Sequence, residues 1–283
     1  AQLDLNRNGG GFRPNASLWA VSPGFEVNDL GFQTAADRRG THAGFSWRKP
    51  TADAFTRFRQ LTVAKWYAWN GARDLLGDGL FTSTYLIFPN YWWTSATAHV
   101  GRETWSDRLT RGGPLMRAPG FRAYNASLGT DGRRPWVFDL GGRYETDTAC
   151  GWEAGAWLGL TVKPSPSVSV NVGPGISREF DVAQYVTTVA DPLATPTFGA
   201  RYVFGELDQA EVSMATRLNL ILSPRVSLQM YVQPLISTGA YSFLKEAAAS
   251  RTFDFSRYGL DTGVVDYDSS RQTYAIDPDG AGD

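Results

Sequence analysis

The feature that most constrains this chain is strict alternation of apolar and polar residues in runs of about ten, repeated along most of its length. Successive side chains of a strand point to opposite faces, so each run reads as a strand with one apolar and one polar face. The clearest lies in 211–233. Val212, Met214, Thr216, Leu218, Leu220 and Leu222 share one face, and Ser213, Arg217 and Asn219 the other. After a turn at 223–224, Val226, Leu228, Met230 and Val232 alternate with Ser227, Gln229, Tyr231 and Gln233. A second hairpin sets Trp152, Ala154, Ala156, Leu158, Leu160 and Val162 against Glu153, Gly155, Trp157, Gly159 and Thr161. It turns at 164–166 and returns with Val168, Val170 and Val172 against Ser169 and Asn171. Helical periodicity is nearly absent, and only 242–250, with its Leu-Lys-Glu-Ala-Ala-Ala run, has helix-forming composition.

Alternation alone also suits a soluble sandwich, so spacing decides. Strands are expected near 12–21, 41–49, 57–69, 79–88, 91–102, 121–130, 135–145, 151–163, 167–180, 209–222 and 225–238. The connections then alternate. Short turns fall at 50–56, 89–90, 131–134, 164–166 and 223–224, and long polar loops at 22–40, 70–78, 103–120 and 181–208, with 146–150 a shorter exception. That sorting, with strands of about 9–11 residues, is how outer-membrane barrels are built. Aromatic residues support it. Tyr91, Trp92, Trp93 and Trp136 lie beside short turns, and Trp66, Trp69, Tyr144 and Trp152 near the long-loop ends, the headgroup levels that indole and phenol rings favour. The expected fold is therefore all-β: one antiparallel transmembrane β-barrel domain over 1–283, or a large part of one. Leu3–Asp4–Leu5 reads as the tail of an earlier strand, and no strong return strand follows 238. An open edge cannot face lipid, so the barrel is expected to be incomplete at both ends.

Function classes narrow by exclusion. A formal net charge of −1 gives no overall positive field to hold nucleic acid. Cys150 alone allows no internal disulfide framework and no cysteine zinc site. No run of 18 apolar residues exists to form a membrane helix. There is no Gly-x-Ser-x-Gly elbow, no dinucleotide fingerprint and no phosphate-cradling glycine loop, so no cofactor is expected and enzymatic activity is disfavoured. His42 and His99 read as packed histidines, and Arg38–Arg39, Arg48–Lys49 and Arg133–Arg134 as solvated basic clusters. Glu26, Asn28 and Asp29 gather three oxygen-bearing side chains in one loop. They form a candidate binding site, with a structural turn as the competing role. If the apolar faces meet lipid, the polar faces point inward, and Glu153, Asn171, Arg217, Asn219 and Gln229 become lumen-lining candidates.

The stretches 6–15 (Asn-Arg-Asn-Gly-Gly-Gly-Phe-Arg-Pro-Asn) and 22–32 (Ser-Pro-Gly-Phe-Glu-Val-Asn-Asp-Leu-Gly-Phe) resemble a bacterial outer-membrane β-barrel family of unknown function. The segments 201–204, 207–209, 216–219 and 228–234 carry the same likeness, which spans most of the chain and maps it onto the barrel region. Full-length members of that family have an N-terminal carbohydrate-binding-like domain before the barrel. The resemblance implies an outer-membrane location with lipid as partner, but the family has no settled activity. For a barrel of this kind the leading expectation is a pore or uptake channel for small solutes, with saccharides suggested by the family's other domain. The rival expectations are a structural or assembly barrel anchoring other envelope proteins, and a membrane-embedded hydrolase using the long loops.

Overall fold

A computed structural model describes residues 1–27, 35–271, 273–278 and 280. The strands are β1 (Gln2–Asn6), β2 (Phe12–Val21), β3 (Arg38–Lys49), β4 (Phe58–Trp69), β5 (Leu75–Ile87), β6 (Trp93–Gly101), β7 (Thr104–Ser106), β8 (Met116–Ala118), β9 (Phe121–Gly129), β10 (Trp136–Asp147), β11 (Trp152–Ser165), β12 (Val168–Ala190), β13 (Ala200–Ser223), β14 (Val226–Val232), β15 (Leu235–Ala247), β16 (Phe255–Arg257), β17 (Val264–Asp268) and β18 (Thr273–Asp277). Fourteen of them form one antiparallel sheet in the order β1-β2-β3-β4-β5-β6-β9-β10-β11-β12-β13-β15-β16, with β14 also on β13. The pairs β7–β8 and β17–β18 stand apart from it.

β14 and β15 are one strand in two pieces. Thr216 pairs with Val232 and Ser213 with Leu235, so the register runs on unshifted between them. The break falls at Pro234, which has no N–H to give the ladder but still accepts from Met214 N at 3.1 Å.

Among the described residues β1 and β14–β15 do not pair, so the sheet is open and no closed barrel forms. Several other expectations are corrected. The expected long loop at 181–208 is mostly ladder, running to Ala190 and resuming at Ala200. Two register shifts, at Asp181/Gln184 and Tyr185/Thr187, break the period there and hide the strands. Residues 75–78 of the expected 70–78 loop are already strand β5. Residues 242–247 are strand, not helix, because pairing with Val203–Glu206 outweighs the local preference of Leu, Lys and Ala. A short return strand, β16, follows, pairing only with Lys245–Ala247.

Cross-strand partners share a face, so the register sorts the side chains across the whole sheet. One row runs Ser46, Thr62, Ser83, Thr97, Asn125, Arg143, Gly155, Ser177, Glu211. The row one residue away on each strand runs Phe45, Val63, Thr82, Ala98, Tyr124, Tyr144, Ala154. The second face is strongly exposed although apolar: Trp136 is 58% accessible, Leu140 52%, Leu158 45% and Ile176 60%. Charge on that face is sparse. On β4 it brackets the apolar stretch at Arg59 and Lys65, and at the far end of β12 Arg178 pairs with Asp208 at 2.7 Å.

The apolar band crosses the hydrogen-bonded rows obliquely. Its middle on β4, between Arg59 and Lys65, is in register with residues 142–144 of β10, whereas its middle on β10, between Trp136 and Tyr144, is Leu140. That is a drift of about three residues over four strand steps, a slope of roughly 27° at about 3.3 Å per residue and about 4.8 Å per step. Tilted strands of a rolled sheet require such a slope.

The sheet is curled. Asp74, between β4 and β5, holds Arg251, between β15 and β16, at 2.6 Å. In the sheet order β5 and β15 are seven steps apart, about 34 Å if flat.

Candidate functional site

The curl gives the polar face a concave side, and one segment spans its mouth. Residues 102–120, carrying the small β7–β8 hairpin, leave β6 and return to β9. Near β2–β5 this strap is tied by Asp107 to Arg38 at 2.8 Å and by Arg102 N to Asp78 O at 2.9 Å. On the opposite side Arg251 N donates to Leu115 O at 2.7 Å, and Arg117 N to Thr252 O at 2.9 Å. Trp105 lies under the guanidiniums of Arg117 and Arg251, 4.7 and 5.0 Å from the ring centre.

The main fully buried cluster lies here rather than within the sheet faces. Met116 and Phe204 are 0% exposed and pack with Ala183 and Ala247, flanked by Leu109, Tyr185, Tyr202, Phe253 and Phe255. Phe255 and Tyr185 meet the Phe204 ring edge-on at 5.2 and 5.9 Å. Charges around the cluster are paired. Arg201 bridges Asp191 and Glu246, and Tyr258 donates to Glu246 at 2.8 Å. Burial pushes the Tyr258 phenol above its ordinary range. Burial likewise lowers the Lys245 ammonium, although Glu206 at 3.5 Å opposes the shift. The mouth is thus a latch between strap, extended β12–β13 hairpin and the segment after β15.

The sequence-derived candidates fall into two groups on the polar face. Asn171, Arg217 and Tyr231 form one cross-strand row, and Ser169, Asn219 and Gln229 the next. Asn171 donates to Thr161 Oγ1 at 2.9 Å, and Arg217 covers the Tyr231 ring at 5.1 Å. Glu153 belongs to a separate row, between Glu145 and Glu179, and is ion-paired to Arg143. Three carboxylates directly opposite one another on adjacent strands disfavour the sheet, and the Arg143 guanidinium beside them offsets this. Of the loop candidate, Glu26 alone falls among the described residues. Glu26 is exposed after a turn in which Phe25 N donates to Ser22 O at 3.1 Å, while Asn28 and Asp29 lie outside the described residues. Among the described residues no group of three or more His, Cys, Asp or Glu could hold a metal ion.

Both histidines have partners. Asn15 Oδ1 lies 3.1 Å from His42 Nε2, and Trp66 Nε1 donates to His99 Nε2 at 2.9 Å. Of the basic clusters, Arg38 is committed to the strap. Arg133 grips Asp131 at 2.7 Å in the 130–135 turn and, with Arg57, covers the Tyr91 ring. The Asp131 carboxyl is held down to about 2, chiefly by that guanidinium.

Sequence reasoning missed the role of the strap and the tryptophans it covers. Trp19 lies flat over Gly40 of β3, and Trp66 over Gly77 and Gly79 of β5, where any β-carbon would collide with the ring. The signal was a tryptophan facing glycine across a strand pair, which is readable only once the register is known. Comparison of the chain with protein-family models, curated proteins and solved structures finds no match.

Proposed function

We propose that this chain forms the wall of a bacterial outer-membrane β-barrel whose concave polar face lines a passage for small solutes, narrowed at one mouth by the strap 102–120. The observation that carries this reading is the division of the two faces. Large apolar side chains stand exposed over about a dozen strands on the face opposite the Ser, Thr, Asn, Glu and Arg rows. A soluble monomer rarely exposes more than a few hundred Å² of contiguous apolar surface. Lipid removes that cost. The band from Trp136 to Tyr144 spans about 27 Å of strand, or a little over 20 Å when tilted, close to the ~25 Å apolar height of such barrels. Trp136 and Trp47 near one margin and Tyr124, Tyr144 and the stacked Tyr67–Trp69 pair near the other suit the headgroup levels. The resemblance of 6–15 and 22–32 to an outer-membrane family points to the same address. Because lipid cannot satisfy open backbone, the membrane form has the β1 and β14–β15 edges paired.

The polar rows mix Glu, Arg and amides with no ring of one sign, which favours weak ion selectivity. The strap favours low conductance. The protein purified from outer membranes is expected to give small, weakly selective steps in planar bilayers, enlarged when residues 104–117 are replaced by a short Gly-Ser linker. Silence in both forms would transfer the assignment to a structural barrel that anchors envelope partners. A wide, sharply selective channel in the unaltered protein would contradict the role given to the strap.

A further inference from the structure

Between the strap and the concave faces of β2–β5 lies a cavity of about 790 Å³, within the ~300–1,000 Å³ usual for small-ligand sites. Trp19 and Trp66 floor it, Trp105 closes it from the strap, and Arg38, Asp107 and Arg108 stand at its polar side. The two floor rings are fixed before any ligand arrives. Each has one side against glycine backbone, and the Trp66 N–H is already held by His99, so neither is free to turn away.

From this arrangement we infer that the cavity is a binding site for a neutral, polyhydroxylated ring, a pyranose unit of a short oligosaccharide. The C–H face of such a ring is apolar and flat enough to lie on indole, while its rim carries hydroxyls that both donate and accept. Arg38 and Asp107 supply both counterparts from one half-buried ion pair at 2.8 Å: guanidinium N–H groups to donate, and carboxylate oxygens to accept. The same pair argues against a charged ligand. A cation attracted to Asp107 meets Arg38 and Arg108, and an anion attracted to either arginine meets Asp107, whereas a neutral hydroxyl can donate to the carboxylate and accept from a guanidinium at once. Val21, Ala68 and Leu76 add apolar lining beside the indole rings.

The site depends on the passage reading only for how its ligand arrives, and binding is measured without conduction. The full protein in detergent micelles is titrated with maltotetraose and cellotetraose, followed by saturation-transfer NMR and calorimetry, with glucose 6-phosphate and indole as contrasting probes. A neutral tetrasaccharide is expected to bind with its ring C–H protons saturated most strongly. Trp105→Ala is expected to weaken it about tenfold or more. Trp19→Ala, on a strand rather than the strap, reads the same loss if Trp105→Ala detaches the strap. Trp136→Ala, on the opposite face, is expected to change nothing. No binding of either tetrasaccharide, binding indifferent to both cavity tryptophans, or preference for the phosphate or indole would each overturn the inference. A bilayer that stays silent while the tetrasaccharide binds would leave the site standing and remove the passage.

Discussion

Leu218→Arg is expected to destabilise the lipid-inserted protein by about 2–4 kcal/mol, whereas Asn219→Arg, one residue away, costs less than about 1 kcal/mol. Leu218 pairs with Val170 and Met230 on the apolar face, and it lies near the middle of the run from Val212 to Leu222. On the proposed membrane reading a guanidinium there would sit near the bilayer midplane, with apolar Val170 and Met230 across from it. Asn219 pairs with Ser169 and Gln229 on the opposite face, where a new guanidinium finds amide and hydroxyl neighbours and water. Because side chains alternate, the two positions differ in face and hardly in depth. Reversible urea unfolding in lipid vesicles measures both. Equal costs would mean that both faces are buried in protein, as in a soluble sandwich.

Phe204→Ala is expected to release the strap while leaving the sheet assembled. Phe204 is 0% exposed between Tyr185 and Phe255, and a fully buried Phe cut to Ala ordinarily costs about 3–5 kcal/mol in lost contacts and cavity. The cluster belongs to the mouth and not to the strand faces, so the loss falls on local opening of the latch, raising the open population roughly 100-fold or more. Arg108, Arg111 and Arg117 provide tryptic sites within the strap. Cleavage there should quicken by that order, with the strand content of the sheet by circular dichroism unchanged. Phe138→Ala, 47% exposed on the apolar face, serves as control. Strap cleavage that is unchanged in Phe204→Ala would detach this cluster from the latch.

What was legible in the sequence followed from period two. The faces of 211–222, 152–162 and 168–172 could be assigned by parity, because those strands run long without a bulge. Asn171, Arg217, Asn219 and Gln229 accordingly lie on one face, in two adjoining rows. The strand at 181–190 was illegible because two bulges on it reset the parity within seven residues. Gly77-Asp78, at the end of the expected 70–78 loop, is strand, since Gly77 with Gly79 makes room for the Trp66 ring from the neighbouring strand. The cavity site was the least legible. Trp19, Arg38, Trp66 and Asp107 lie on separate elements, and only the fold of residues 102–120 back across the mouth brings them together. The Glu145–Glu153–Glu179 row was hidden for a related reason: each acid is unremarkable in its own strand, and their opposition depends on two registers at once.

The central claim is that the apolar face of the sheet meets lipid while the other face meets water. It is tested most directly by a nitroxide scan of residues 212–222, one cysteine at a time in a Cys150→Ser background, with the protein in bilayers. Collision rates with oxygen, which concentrates in lipid, are expected to peak at 212, 214, 216, 218, 220 and 222. Rates with a water-soluble nickel chelate are expected to peak at 213, 215, 217, 219 and 221, out of phase with oxygen. Two profiles that rise and fall together, or that show no period of two, would contradict the membrane assignment of this face.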